Sequence, residues 1–320
     1  MSRWLPFERP LQELEERIAE AERFTAARGL DKSAEIAALR ERYEQVTHEI
    51  FANLSAWDQV LLARHPSRPY TLDYLQLAFD DFLELHGDRR FGDDPAVVAG
   101  LARLADRSVA VIGHQKGRDL KERQFRNFGS ARPEGYRKAM RVMKLAEKRR
   151  LPVVCLVDTP AAESRLEAEE RGISESIAAS MATMARLAAP ITVIIIGEGG
   201  SGGAIALCVG DRVMMLEHAI YSVIPPESCA VILEVFGRDA ARGPEAAEAL
   251  RLSSEQTLRL GAVDEVIPEP LGGAHRDPAA AARAIREAIS RSLAELDQVP
   301  TEELAPRRYA KLRGLRHYVE

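Results

Sequence analysis

Five glycines fall within seven residues, Gly197, Gly199, Gly200, Gly202 and Gly203, directly after the apolar run Ile191-Thr-Val-Ile-Ile-Ile196. Glycine at that density is costly unless the backbone needs a positive φ or a ligand must approach it closely. Ala204-Ile-Ala-Leu207 follows and reads as the start of a helix. Free N–H groups at a helix start, aided by the helix dipole, suit an anion or a developing oxyanion. One such donor typically contributes about 3–4 kcal/mol to a transition state. A plain strand-to-helix turn needs only one or two glycines. A phosphate loop would place Lys and then Ser or Thr after the glycines, and this chain does not. Gly199-Gly-Ser201-Gly-Gly203 also matches the G-x-S-x-G nucleophile pattern. His218 or His275 with Asp211 or Asp264 could complete a triad, and nothing in the spacing selects among them. The third reading is a site whose backbone amides hold an enolate or ureido oxygen.

The elements that must position this turn follow from apolar periodicity. Val109–Ile112, Val153–Val157 and Ile191–Ile196 read as buried strands, with Val213–Leu216 and Ala219–Val223 after them. Helices are expected at Pro133–Arg150 and Ile173–Leu187, near 227–236, in short pieces over 244–260, and from Asp277-Pro278 to about Asp297, with Asp as N-cap and Pro at the first helical position. Continuous β-branched runs separated by helices imply a parallel or mixed sheet covered on both faces. Residues 10–62 carry two helical stripes, Leu11, Leu14, Ile18, Ala21 and then Ile36, Leu39, Tyr43, Val46, Ile50, broken by Gly29 and Asp31. Such a hairpin must pack on the main domain or on another chain. The expected organisation is a helical arm over 1–62, one α/β catalytic domain over 63–297 and a helical tail over 298–320.

Composition narrows the function classes. The chain has 320 residues, 46% hydrophobic and 29% charged, with a formal net charge of −5. No general attraction to nucleic acid or anionic lipid follows. The C-terminal basic cluster of Arg307, Arg308, Lys311, Arg313 and Arg316 reads as a solvated helix face or a tail that docks on a partner. Cys155, Cys208 and Cys229 form no CxxC pair, so neither a metal site nor a disulfide framework is expected. No run approaches a membrane span and the N-terminus has no apolar signal core, which points to the cytoplasm.

Longer strings carry a resemblance. IGEGGSGGA, then YSVI and IPEPLGGAHRDP, with RPYTLDY (68–74), GDR (87–89), IGHQKGR (112–118), NFG and PEGYRKA (127–139) and AEERG (168–172), stand in one order along nearly the whole chain. In these the chain resembles the alpha subunit of bacterial acetyl-CoA carboxylase carboxyltransferase. The resemblance implies a crotonase-like fold, a β-β-α superhelix here preceded by the helical arm. It implies transfer of carboxylate from carboxybiotin, carried on a separate biotin carboxyl carrier protein, to acetyl-CoA, giving malonyl-CoA for fatty acid synthesis. It also implies a beta subunit that brings the zinc ribbon, an α2β2 assembly, a biotin carboxylase upstream, and no metal on this chain. Gly202, Gly203 and Ala204 become the expected ureido-oxygen hole, with Gly199 and Gly200 shaping the turn and Ala161 and Ala162 lining the biotin side. In hydratases of the superfamily a glutamate follows the glycines. Ile205 stands there, which argues against hydration.

Two stretches depart from the family pattern. Where the family reads D-T-P-G-A-Y-P-G, this chain reads Asp158-Thr-Pro-Ala-Ala-Glu-Ser-Arg165. Those residues favour a longer helix starting at Pro160. Pro225 and Ser228 replace the family's Ser and Gly. Two alternatives therefore accompany the main reading, a catalytically altered or inactive structural paralogue of the subunit and a serine hydrolase acting through Ser201.

Overall fold

The computed structural model describes residues 4–28 and 31–315. Gly29, expected to break the arm, and Arg316 of the basic cluster lie outside the described residues. The arm is α1 (Arg9–Arg28), α2 (Ser33–Phe51) and α3 (Ala56–Ala63), followed by α4 (Thr71–Ala78). Leu11, Ala21, Leu39 and Val46 are its buried apolar positions in α1 and α2, so the hairpin hides little of itself. In α3, by contrast, Val60, Leu62 and Ala63 are buried. The expected boundary at 62 therefore falls inside a helix that belongs to the core.

The body begins with β1 (Asp80–Glu84), β2 (Val97–Leu104) and β3 (Arg107–His114), then α5 (Leu120–Phe125), α6 (Pro133–Arg149) and β4 (Val153–Thr159). It continues through α7 (Leu166–Glu170), α8 (Ile173–Arg186), β5 (Ile191–Gly200), α9 (Ser201–Ile205), β6 (Arg212–Leu216) and β7 (Ile220–Ser222). Then come α10 (Pro226–Ile232), α11 (Gly243–Leu250), α12 (Ser254–Arg259), β8 (Glu265–Ile267), α13 (Pro278–Leu296) and α14 (Thr301–Gly314). One eight-stranded sheet runs β1-β2-β3-β4-β5-β6-β8, with β7 paired to the end of β5. β1, β2 and β3 are antiparallel neighbours, and β3, β4, β5, β6 and β8 are parallel. Every residue of β4 and β5 is buried, as expected for continuous apolar runs at the centre of a parallel sheet. Asp277 caps α13 by accepting the Ala280 N–H at 2.8 Å, with Pro278 at the first position as expected. Strands β1, β2 and β8 are not among those expected from the apolar runs. β2 pairs with β3 through a two-residue turn in which Ala105 takes φ 52°, without the glycine or asparagine that marks such hairpins.

Three local expectations are corrected. The glycine strand does not end at Ile196, because Glu198, Gly199 and Gly200 pair with Ile220, Tyr221 and Ser222 of β7. The following helix starts at Ser201, three residues earlier than expected, and lasts five residues. No helix starts at Pro160, and residues 160–165 stay irregular. There Thr159 Oγ1 donates to the Ala161 carbonyl at 2.7 Å and Glu163 N–H to the Ala131 carbonyl at 2.9 Å. The Glu163 carboxylate accepts from Ser164 N–H at 2.8 Å, Arg165 N–H at 3.0 Å and Asn127 Nδ2 at 2.6 Å. These local bonds compete with the helical ones and override propensity.

The basic C-terminal helix is also corrected, from a solvated face to a clamp. Arg308 is buried, and its guanidinium donates to Asp211 Oδ1 at 2.9 Å, to Asp211 Oδ2 at 2.8 Å and to the carbonyls of Met184, Leu187 and Ala189. Lys311 Nζ pairs with Asp264 at 2.5 Å and donates to the Asp211 carbonyl at 3.0 Å. Arg307, paired with Glu303 at 2.5 Å, and Arg313 stay exposed as expected. Arg308→Ala leaves Asp211 buried without its partner, a loss of about 3–5 kcal/mol. The expected outcome is a lowered midpoint in urea unfolding, whereas Arg307→Ala moves it little.

Candidate active site

The C-terminal ends of β3, β4 and β5 converge on one ionic cluster. Lys116, two residues past β3, pairs with Asp158 near the end of β4 at 2.7 Å and with Glu198 near the end of β5 at 2.6 Å. Arg64, just past α3, takes the other oxygen of Glu198 at 2.6 Å and reaches Glu227 in α10 at 2.6 Å. Asp158 Oδ1 also accepts the Glu198 N–H at 2.9 Å. Behind the cluster, Arg68 donates to the Ile196 carbonyl at 2.8 Å and forks onto buried Glu269 at 2.9 and 2.5 Å. The cluster ties five separate segments to the glycine strand.

Its electrostatics follow from burial against pairing. Burial pushes the Glu198 carboxyl up, but Lys116 and Arg64 outweigh it and hold the pKa down at about 2. Burial pushes Lys116 down, and Asp158 with Glu198 more than reverse this, so the ammonium is held charged. Asp158 has one cation rather than two, and burial wins there, raising its pKa despite Lys116. Burial and pairing also oppose each other at Glu269, where Arg68 wins and the pKa stands at about 2.

The expected site residues Gly199, Gly200, Gly203, Ala161 and Ala162 come together here. A Cβ on Gly200 would lie 2.0 Å from the Pro160 carbonyl oxygen, and one on Gly203 would lie 2.7 Å from Ala161 C and Ala162 N. These glycines admit the 160–162 loop, and none of the turn glycines needs a positive φ. The residue that takes it is Ser201, at φ 51°. Gly202 differs, because its Cβ would meet only the Ile177 Cδ1 end at 3.3 Å. With Gly200 as N-cap, the N–H groups of Ser201, Gly202 and Gly203 have no acceptor within the helix, while that of Ala204 points back at the Gly200 carbonyl. A cavity of about 180 Å³ opens beside the cluster, lined by Arg64, Tyr70, Lys116, Arg123, Phe128 and Glu198 among others. Pro160, Gly199, Gly200, Ser222 and Pro225 continue its wall. A larger concavity of about 1190 Å³ lies between the arm and α11–α12, and no glycine of the turn lines it.

The triad candidates are engaged elsewhere. His218 Nδ1 lies 3.3 Å from Gln59, His275 stacks on His65 at 4.0 Å, Asp211 holds Arg308 and Asp264 holds Lys311. Glu8, His65 and His275 bring one donor atom each within 4.8 Å of one another, a spacing that fits a metal ion. Arg276 already holds Glu8 at 2.7 Å and the Ser67 N–H occupies His65 Nδ1 at 3.1 Å, whereas the His275 ring nitrogens are buried without a hydrogen-bond partner among the described residues.

Comparison with known proteins decides the family. The family model described as "Acetyl co-enzyme A carboxylase carboxyltransferase-like" matches residues 4–316. The chain belongs to this family. The acetyl-coenzyme A carboxylase carboxyl transferase subunit alpha of Methylococcus capsulatus is 50% identical over 318 residues, covering 99% of this chain and 98% of the relative. That of Thermus thermophilus is 52% identical over 316 residues, 99% of each. Among solved structures, transcarboxylase 12S superposes with a TM-score of 0.58 at 21% identity over 73% of this chain and 43% of that chain. A Pseudomonas malonate decarboxylase hetero-tetramer, solved with coenzyme A, gives 0.57 at 17% identity over 76% of this chain and 95% of the matched chain. The fold is thus the crotonase-like one expected, and the carboxyltransferase alpha-subunit reading holds over the hydrolase and paralogue alternatives. No helix among the described residues is long and apolar enough to cross a membrane.

The depressed pKa of Glu198 sets a pH dependence. Its folded value of about 2 lies below the ordinary 4.5, so its stabilisation is complete above 4.5 and fades as pH falls toward 2. Glu198→Gln removes that contribution. Over this window the melting temperature of the unmodified chain is expected to drop more steeply than that of Glu198→Gln. Parallel acid limbs would contradict the assignment of the ionised pair.

Proposed function

We propose that this chain supplies the carboxybiotin side of an acetyl-CoA carboxyltransferase, acting in the cytoplasm. Carboxybiotin on a biotin carboxyl carrier protein, charged by a biotin carboxylase, would bring the carboxylate and, once that is lost, a base for the acetyl methyl group. A zinc-ribbon beta subunit in an α2β2 assembly would bring most of the contact to acetyl-CoA. The observation that carries this reading is identity of about half over essentially the whole length to alpha subunits of this enzyme.

On this chain the task is positioning and charge stabilisation. The N–H groups of Gly202 and Gly203 are the donors for the developing oxyanion. Ala204, expected from the resemblance as a third donor, on this reading closes the helical turn that aims them. Gly199 and Gly200 let the 160–162 loop close against the strand, so Ala161 and Ala162 wall the site instead of opening it. The Lys116–Asp158–Glu198 cluster fixes the strand from which the turn departs. The cavity beside it has the cations and aromatic faces, Arg123, Tyr70 and Phe128, that suit a planar anionic group. No side-chain base is required of this chain.

Reconstitution with a beta subunit tests the reading. The purified chain alone is expected to form no malonyl-CoA from carboxybiotin and acetyl-CoA, and the pair to form it. Gly202→Val is the informative variant, because a Cβ there meets only the flexible Ile177 Cδ1 end at 3.3 Å, whereas one on Gly203 meets backbone at 2.7 Å. It is expected to retain its melting temperature and to lose about 10²-fold or more in turnover, the loss typical of one oxyanion donor. Ser201→Ala is expected to stay within about tenfold, since no covalent bond passes through it. A dead Ser201→Ala beside an active Gly202→Val would overturn the oxyanion assignment.

A further inference from the structure

The string Gly87-Asp-Arg89 has no role in the transfer described above, yet it builds a fixed cationic recess. Buried Asp88 accepts the N–H groups of Arg90, Phe91 and Gly92 at 2.9, 2.8 and 3.0 Å. Its second oxygen takes Arg137 at 3.0 Å. These bonds lock the turn that presents Arg89 and Arg90 beside α6 and α8. A recess of about 460 Å³ opens there, lined by Arg89, Arg90, Arg137, Arg141 and Lys144, with Asp88 and Glu175 as its only acids. It shares no lining residue with the cavity beside Lys116.

Five cations face two acids here, so the positive charge of this recess is only partly matched by the protein. Asp88 is already committed to the turn and to Arg137. Among the described residues Arg89, Arg90 and Lys144 form no ion pair. Arg141 spans three carbonyls, those of Gly87, Leu85 and His86 at 3.0, 3.1 and 3.1 Å, which fixes its guanidinium without cancelling its charge. The Arg89 guanidinium folds over the same turn, its Nη1 lying 3.2 Å from where a Cβ on Gly87 would stand. Burial and the charge of Arg89 together push Arg141 below the ordinary arginine value, although Asp93 and Asp88 work against them. Two like charges held over one turn, inside a chain of net charge −5, form a local site that a multivalent anion would relieve. A lone carboxylate would offset one of these cations. Guanidinium forks spread over such a volume match several phosphoryl groups.

We propose that this recess binds a compact polyphosphate, held by Arg89, Arg90, Arg141 and Lys144, at a place separate from the acetyl-CoA site. Titration calorimetry of the full chain with sodium tripolyphosphate tests it. Saturable binding is expected, weakening as salt is raised. The double variant Arg90→Glu/Lys144→Glu alters two exposed side chains without partners, so it is expected to melt like the unmodified chain and to bind at least about tenfold more weakly. No binding at low salt, or equal binding by the double variant, overturns the proposal. Titration with ATP tells the source: tighter binding than tripolyphosphate assigns a nucleotide, equal binding an inorganic chain, and either supports the site. Binding of polyglutamate without tripolyphosphate would mark a surface for an acidic protein and overturn it. In the complex reconstituted with a beta subunit, the KM for acetyl-CoA is expected to be unchanged by the double variant. A rise of about tenfold would place the recess in the acyl-CoA site, and the proposal of a separate site would fall. The titration needs no turnover, so it stands apart from the carboxyltransferase assignment.

Discussion

The ammonium of Lys116 sits between two carboxylates in a place where little water competes for it. An ion pair taken out of water returns its desolvation cost only when the geometry is good and the remaining lone pairs are bonded. Both conditions are met at Glu198, while at Asp158 burial still outweighs the single ammonium. Glu198 has Lys116 on one oxygen and Arg64 on the other, and Asp158 receives the Glu198 N–H besides the ammonium. The three participants stand at or just past the ends of three neighbouring strands, so the cluster fixes the relative height of those ends. The 160–162 loop then closes on Gly200 and Gly203 with almost no clearance. The amide donors of the turn inherit their positions from that packing.

Much of this was legible in the sequence because the sheet is parallel and buried. Continuous apolar runs at 153–157 and 191–196 leave few other readings, and Asp277-Pro278 marks its helix start by cap chemistry. The glycine turn was legible as a site, but the reason for its glycines was not. Backbone proximity between Gly203 and Ala161 is a tertiary fact across 42 positions of chain, and a local reading sees only conformational freedom or room for a ligand. The ionic cluster was missed for the same reason, although each member leaves a trace. Glu198 is a charge inside a glycine run, Asp158 ends an apolar strand, and Lys116 follows another. A charge at the end of a buried strand asks for a partner, and three such charges ask for each other.

The 158–165 segment shows the limit of propensity. Its alanines and charged residues favour a helix in isolation, yet the chain keeps an irregular path there. Glu163 supplies the reason, since its carboxylate serves Asn127 and its own neighbours' N–H groups. Its pKa is held at about 2, chiefly by Arg165 and then by Asn127 against burial. The residues differ from the family pattern, but the loop still lies against the glycine strand. Arg308 makes the complementary point at the other end of the chain. A basic helix that reads as solvent-facing is anchored by one arginine that reaches carbonyls and a carboxylate behind it.

Arg64 lies at the seam between the arm and the body. One guanidinium holds Glu198 in the glycine strand and Glu227 at the start of α10, at 2.6 Å each. Losing Arg64 leaves Glu198 with Lys116 alone and takes the guanidinium from Glu227, whereas losing either carboxylate leaves Arg64 paired with the other. Exchange at Arg64 therefore unbalances two carboxylates at once, whereas exchange at Glu227 leaves the Arg64–Glu198 pair in place. A sequence that drifts freely over the outer face of the arm is pinned at this junction, and the pin passes through the residue between Gly197 and Gly199.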